Sequence, residues 1–169
     1  PIWKWKASGD FIPASRLSWF NNPSEVKPVM DNTHILFTCS GGAVGLIRIK
    51  DKKLVWYAKA GVNPHSAELL PDGNIVAVSS TDAKVSIFNP DSQTDPEACL
   101  ATYNWPSAHA LIWDRGRQLL YGNYASTVTA YRYNFDKQAP KLTKASVVTQ
   151  IPQGENCVHD LYFVNGEPD

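Results

Sequence analysis

The chain has 169 residues, enough to bury one core, and its 16 basic and 16 acidic side chains cancel to zero net charge. A neutral chain offers no basic field for nucleic acid or an anionic membrane surface. No apolar run approaches the roughly 20 residues that cross a bilayer, and no secretory leader pattern is present.

In chain order, Ile2-Trp3-Lys4-Trp5 reads as the fourth strand of a preceding repeat, within residues 1–7. The connection Lys6 to Glu25 follows, and only Pro13 to Trp19 within it suggests a helical turn. A first repeat spans about 25–60. Its strands are expected at Val26 to Met30, Ile35 to Phe37, Val44 to Ile49 and Leu54 to Ala58. A second spans about 65–105. His65 to Leu70, the turn Pro71-Asp72-Gly73-Asn74, Ile75 to Val78, Lys84 to Phe88 and Cys99 to Tyr103 follow one another there. Gly73 supplies the positive φ of that turn. The nearly continuous apolar run Ile75 to Val78 fits a strand buried on both faces, and Lys84 to Phe88 alternates. A third spans about 109–151: His109 to Trp113, a turn with Gly116, Leu119 to Tyr121, a loop around Asn123-Tyr124, Val128 to Tyr131 and Ser146 to Thr149. Residues 157–169 open a further repeat. The chain starts at Pro1 without Met and ends inside a repeat, so it is expected to be a piece of something longer.

Strand–turn–strand units recurring every roughly 40–50 residues are the signature of a β-propeller. The fold class is therefore all-β, with four-stranded antiparallel blades forming about half of a six- to eight-bladed, best seven-bladed, propeller. The remaining blades are expected outside this chain. Cys39, Cys99 and Cys157 match no zinc motif and read as thiols in strands. Six Trp suit a propeller core or a sugar-binding surface alike.

One histidine recurs at the head of each inner strand: His65 in NPHSAELLPDGN, His109 in SAHALIWDRG and His159 in CVHDLYFVNG. Aligned on the second strand, Glu25 or Lys27 takes that place in the first repeat. The up-and-down course of a blade puts these histidines on one face beside the central channel, together with Asn123 and Tyr124. The long connection, about 20 residues, is expected to bring Arg16 and Trp19 over the same face. His65 and His109 are the candidate catalytic residues; Arg16, Trp19, His159, Asn123 and Tyr124 are the candidate substrate contacts. No GxSxG, HExxH, phosphate loop or CxxC is present. What remains suits proton abstraction beside a carboxylate: Arg neutralises a uronate, one His removes the C5 proton, and a Tyr or second His protonates the leaving oxygen. The expected partner is an acidic oligo- or polysaccharide. No cofactor is required, although a divalent metal on the three imidazoles is an alternative.

The pattern NPHSAELLPDGNIVAVSS followed by KVSIFNP resembles secreted bacterial and fungal β-propeller proteins, among them the rhamnose–glucuronate lyases. That resemblance, over His65 to Asp169, implies a secreted polysaccharide lyase acting by β-elimination, with a channel histidine as acid or base. The same string also resembles arylsulfotransferase propellers. A non-catalytic glycan- or protein-binding scaffold is the further alternative. The Gly-His and Trp-Asp pairs of WD40 repeats are missing, apart from Trp113-Asp114 at the wrong place.

Overall fold

The computed structural model describes residues 2–92, 95, 97–124, 126–150 and 159–164, with the side chain of Tyr124 left out. Among them, twelve strands form three four-stranded antiparallel sheets with neighbouring strands paired in sequence order. The first blade comprises β1 (Pro23–Val29), β2 (His34–Cys39), β3 (Ala43–Arg48) and β4 (Lys53–Lys59). The second comprises β5 (Pro64–Leu69), β6 (Ile75–Ser79), β7 (Lys84–Phe88) and β8 (Cys99–Asn104). The third comprises β9 (Leu111–Asp114), β10 (Leu119–Tyr124), β11 (Thr127–Tyr133) and β12 (Leu142–Gln150). β1 packs on β5 and β5 on β9, so the first strand of each blade is innermost. This is the partial propeller expected from the repeats.

The all-apolar strand β6 owes its composition to burial on both faces. Side chains alternate across a strand. Ile75 and Ala77, with Phe88 of the same blade, face Leu36, Val44, Leu46 and Trp56 of the first blade. Val76 and Val78 face the third with Leu111, Trp113, Leu120 and Tyr131. Each such side chain, fully buried, contributes about 1.5–3 kcal/mol, so blade stacking outweighs any single cross-blade hydrogen bond. The outer face of the first sheet is covered by its own chain. A 3₁₀ helix, Ala14–Phe20, brings Phe20 and Leu17 onto Phe37 and Ile47, and Trp3 and Trp5 join them. Residues 2–7 make no sheet ladder; Trp3 is tied there by its indole N–H, which donates to the Ile49 carbonyl at 3.2 Å.

Several boundaries move. β12 starts at Leu142, ahead of the expected Ser146, and Asn123-Tyr124 ends β10 rather than forming a loop. His109 precedes β9 instead of opening it. Gly73 does take a left-handed φ of 90°, but in the third blade Gln118 has that role, with φ 54°, and Gly116 does not. The turns at this end are tied across blades: the Tyr133 hydroxyl donates to Asp72 at 2.6 Å, and Lys137 meets Asp91 at 2.7 Å. Cys39 is a buried free thiol, pushed up to about 11 by burial, and Cys99 is an exposed free thiol; Cys157 lies outside the described residues.

Candidate functional site at the axial mouth

The inner strands of the first two blades begin alike. Asn22-Pro23-Ser24-Glu25 and Asn63-Pro64-His65-Ser66 share a left-handed Asn, with φ 54° and 61°, a Pro and then a bulge. Asn tolerates that backbone better than most residues. Pro has no N–H to give the ladder, so pairing skips the next residue, and a bulge re-aims the skipped side chain. The registers run Pro23–Cys39 then Glu25–Thr38, and Pro64–Ser79 then Ser66–Val78. The skipped residues are Ser24 and His65. The expectation that Glu25 or Lys27 occupies the histidine position is thereby corrected: Ser24 occupies it, and the bulge shifts the count by one.

The third blade reaches the same geometry by other means. Ser107 takes the left-handed φ, 55°, and His109 follows two residues later. One residue past the last β9–β10 pair, Leu111–Gly122, the buried Asn123 side chain stands in for the ladder. Its Oδ1 accepts the backbone amides of His109 at 2.7 Å and Ala110 at 2.9 Å, and its Nδ2 donates to the Ser107 carbonyl. That carbonyl also accepts from His109 Nδ1 at 2.9 Å. A carbonyl cannot donate, so Nδ1 carries the proton and Nε2 keeps its lone pair. Asn123 therefore positions the histidine from behind.

His65, His109 and His159 do converge. Ring centroids lie 4.4 Å apart for His65–His109, 4.8 Å for His109–His159 and 6.3 Å for His65–His159. One nitrogen from each falls within 4.8 Å of the other two, a spacing at which the trio could hold a metal ion. His65 is held below the usual imidazole range, first by partial burial and then by the neighbouring His109 and His159. The fourth histidine, His34, opens β2 beside the far end of β1.

Below the imidazoles runs a layer that sequence reasoning left unpaired. Glu25, Lys27 and Glu68 form a buried ion cluster with side chains 7–14% exposed. Lys27 also donates to the carbonyls of Ala67 at 3.3 Å and Leu111 at 2.8 Å, so one ammonium ties three blades together. Burial holds both carboxyls above their usual range, while the two carboxylates raise Lys27 despite its burial. Side chains pass hydrogen bonds from blade to blade here. Glu25 accepts the Ala67 amide at 2.9 Å, and Ser66, its counterpart in the next blade, accepts the Leu111 amide at 3.1 Å. Beyond lies a cavity of about 350 Å³ lined by Lys27, Glu68, Trp113, Arg115 and Tyr162 among others.

The long connection lies on the histidine end of the first blade but reaches outward. Asn21 O accepts the Gly41 amide at 3.0 Å, docking the 3₁₀ helix on the β2–β3 turn. Arg16 Nη1 donates to both carboxylate oxygens of Glu97 at 2.7 Å and to the Tyr57 hydroxyl at 3.2 Å. Its guanidinium lies 5.1 Å from the Trp19 ring centre, and Lys59 lies 5.6 Å from the same ring. Tyr57 and Lys59 belong to β4, the outermost strand, whereas His65 lies in β5 and His109 just ahead of β9, both innermost strands. Arg16 and Trp19 thus form a separate group, with an internal carboxylate paired to the arginine through Nη1. The side chain of Tyr124 lies outside the described residues.

Solved structures share this architecture. A candidate 6-phosphogluconolactonase of Bacteroides fragilis superposes with a TM-score of 0.66 at 17% identity, over 85% of this chain and 42% of that one. Hsv2 of Kluyveromyces lactis gives 0.59 at 12% identity, over 78% and 49%. A candidate 6-phosphogluconolactonase of Bacteroides uniformis gives 0.60 at 14%, over 74% and 39%. The chain spans less than half the length of each, and at these identities the likeness is one of fold. No curated protein matches the sequence. Along its whole length, residues 1–169, the chain belongs to DUF6528, a family of unknown function.

Proposed function

We propose that this chain supplies the axial mouth of a propeller scaffold that binds an acidic saccharide through its ring of imidazoles. The observation that carries the reading is the convergence of His65, His109 and His159, drawn from three separate segments to within 4.8 Å. Imidazoles donate and accept hydrogen bonds near neutral pH and gain charge when a carboxylate approaches. Calorimetric titration with a short glucuronate-containing oligosaccharide should give saturable binding that its neutral glucose counterpart lacks. His65→Gln and His109→Gln should each weaken binding about tenfold or more, about 1.4 kcal/mol. Equal affinity for the charged and neutral sugars removes the reading.

A second reading makes the same mouth the active site of a lyase. It is favoured by His109, whose tautomer leaves Nε2 free to take a proton from the carbon beside a uronate carboxylate. Incubation with uronic-acid polymers would then generate the ultraviolet absorbance of an unsaturated uronate. His109→Gln would suppress it about 10²–10⁴-fold. Binding without any such absorbance leaves the scaffold reading alone.

A further inference from the structure

The imidazole trio has the donor set and the outer support of a metal site. We propose that His65, His109 and His159 bind one divalent transition ion of the zinc class and leave one coordination position open toward the mouth. The inference rests on the reading of that mouth as the ligand site and names what the imidazoles hold there.

Three observations carry it. The first is convergence. Nitrogens on a tetrahedral ion with bonds of about 2.0–2.1 Å stand about 3.4 Å apart, so closing from within 4.8 Å asks for side-chain movements of about an ångström. The second is chemistry. Three imidazoles, with no carboxylate in the trio, form a neutral nitrogen set that suits zinc, cobalt, nickel or copper rather than calcium or magnesium. The third is the outer layer. A ligating histidine commonly donates its other ring N–H to a carbonyl or carboxylate, which fixes the tautomer. His109 has this arrangement: Nδ1 donates to Ser107 O, itself held by the Asn123 amide, and Nε2 is left as the donor atom.

Three protein ligands with a vacant fourth position is the pattern of zinc sites that engage a substrate. In this protein the fourth ligand would be an oxygen of the bound anion. The ligands come from the head of β5, the β8–β9 connection and residue 159, so the ion would also cross-link two blades and the segment after them.

The test uses the intact protein, stripped with a chelator and titrated with cobalt(II). One equivalent should produce the visible bands of a tetrahedral nitrogen-ligated ion, and zinc should abolish them by displacement. His65→Gln and His109→Gln should each lower cobalt affinity at least 100-fold with unchanged far-ultraviolet circular dichroism. Zinc titration of the unaltered protein should shift the ring-proton resonances of all three histidines together, a readout that needs no variant. Absence of bands and of imidazole shifts at stoichiometric metal overturns the proposal, as do bands that persist in both variants. The sugar titration separates the two readings. Acidic-saccharide binding by the metal-free protein, together with no cobalt bands and no imidazole shifts on titration, ends the metal site and leaves the scaffold reading standing. Metal bound with no saccharide taken up does the reverse.

Discussion

Asn123 holds His109 from behind: one buried amide accepts the backbone N–H groups of His109 and Ala110 and donates to the carbonyl of Ser107. The ring of His109 leans on that same carbonyl. Asn123→Ala would strand two amides, since the residue is fully buried. Each unsatisfied buried group costs about 1–3 kcal/mol, so a loss of about 2–4 kcal/mol is expected in urea denaturation. The His109 ring resonances should shift in the same variant while those of His34, at the far end of the first blade, stay in place.

His65 titrates below the ordinary imidazole value of 6.5 because burial and two neighbouring rings oppose its charge. Above 6.5 the ring is neutral in folded and unfolded chains alike and contributes no pH dependence. Between 6.5 and the lower folded value the unfolded chain holds more protons, so stability falls as pH falls. His65→Gln removes this acid-side decline. Metal-free protein unfolded by urea at pH 7 and pH 5 should show a smaller difference between the two pH values for the variant than for the parent. An identical difference would assign the decline to other groups.

Lys27→Met leaves the carboxylates of Glu25 and Glu68 buried together without their counter-ion. Breaking a buried ion cluster from one side costs about 3–5 kcal/mol, and that loss is expected at pH 7. Both carboxyls already sit above their ordinary 4.5 in the folded chain, and removal of the ammonium drives them higher. A raised carboxyl penalises the fold above its unfolded value and ceases to do so once protonated. The deficit should therefore shrink as pH falls toward about 4.5. Denaturation midpoints of variant and parent, compared across that range, read it directly.

Gly41 touches the carbonyls of Ser18 and Trp19, where a Cβ would overlap the Ser18 oxygen. Gly41→Ala should push the 3₁₀ helix off the β2–β3 turn at a cost of about 1–3 kcal/mol. Trp19 emission should shift, because the contacts of its ring with Tyr57, Arg16 and Lys59 depend on that seat. The histidine resonances should be untouched, because the helix lies toward the rim.

The four-stranded antiparallel repeats and the convergence of the imidazoles were legible in the sequence because each leaves a local mark. A run such as Ile75 to Val78 has no polar face, and histidine recurs at the start of β5, just ahead of β9 and again at residue 159. The serine equivalent to His65 was hidden by the bulge, which adds a residue that alignment on the second strand does not count. The signal was present in the paired Asn-Pro strings at 22–23 and 63–64. The partner of Arg16 was not legible. Its carboxylate, Glu97, lies 81 residues away in another blade, and no periodicity links them. Asn123 reads from sequence as a substrate contact, yet its polar atoms are spent on backbone, a role set by its burial rather than its type.

The side-chain hand-over between inner strands stops at Ala110. Glu25 and Ser66 each cap an amide of the following strand, but alanine in the equivalent place has only a methyl group. The amide two residues beyond His159, that of Leu161, is capped from within its own segment by Asp160 at 2.9 Å. Solvent exchange at Ala67 and Leu111 would therefore report how firmly adjoining blades are seated, whereas exchange at Leu161 reports local order alone. The third imidazole thus stands across a seam that the backbone does not lock in this way.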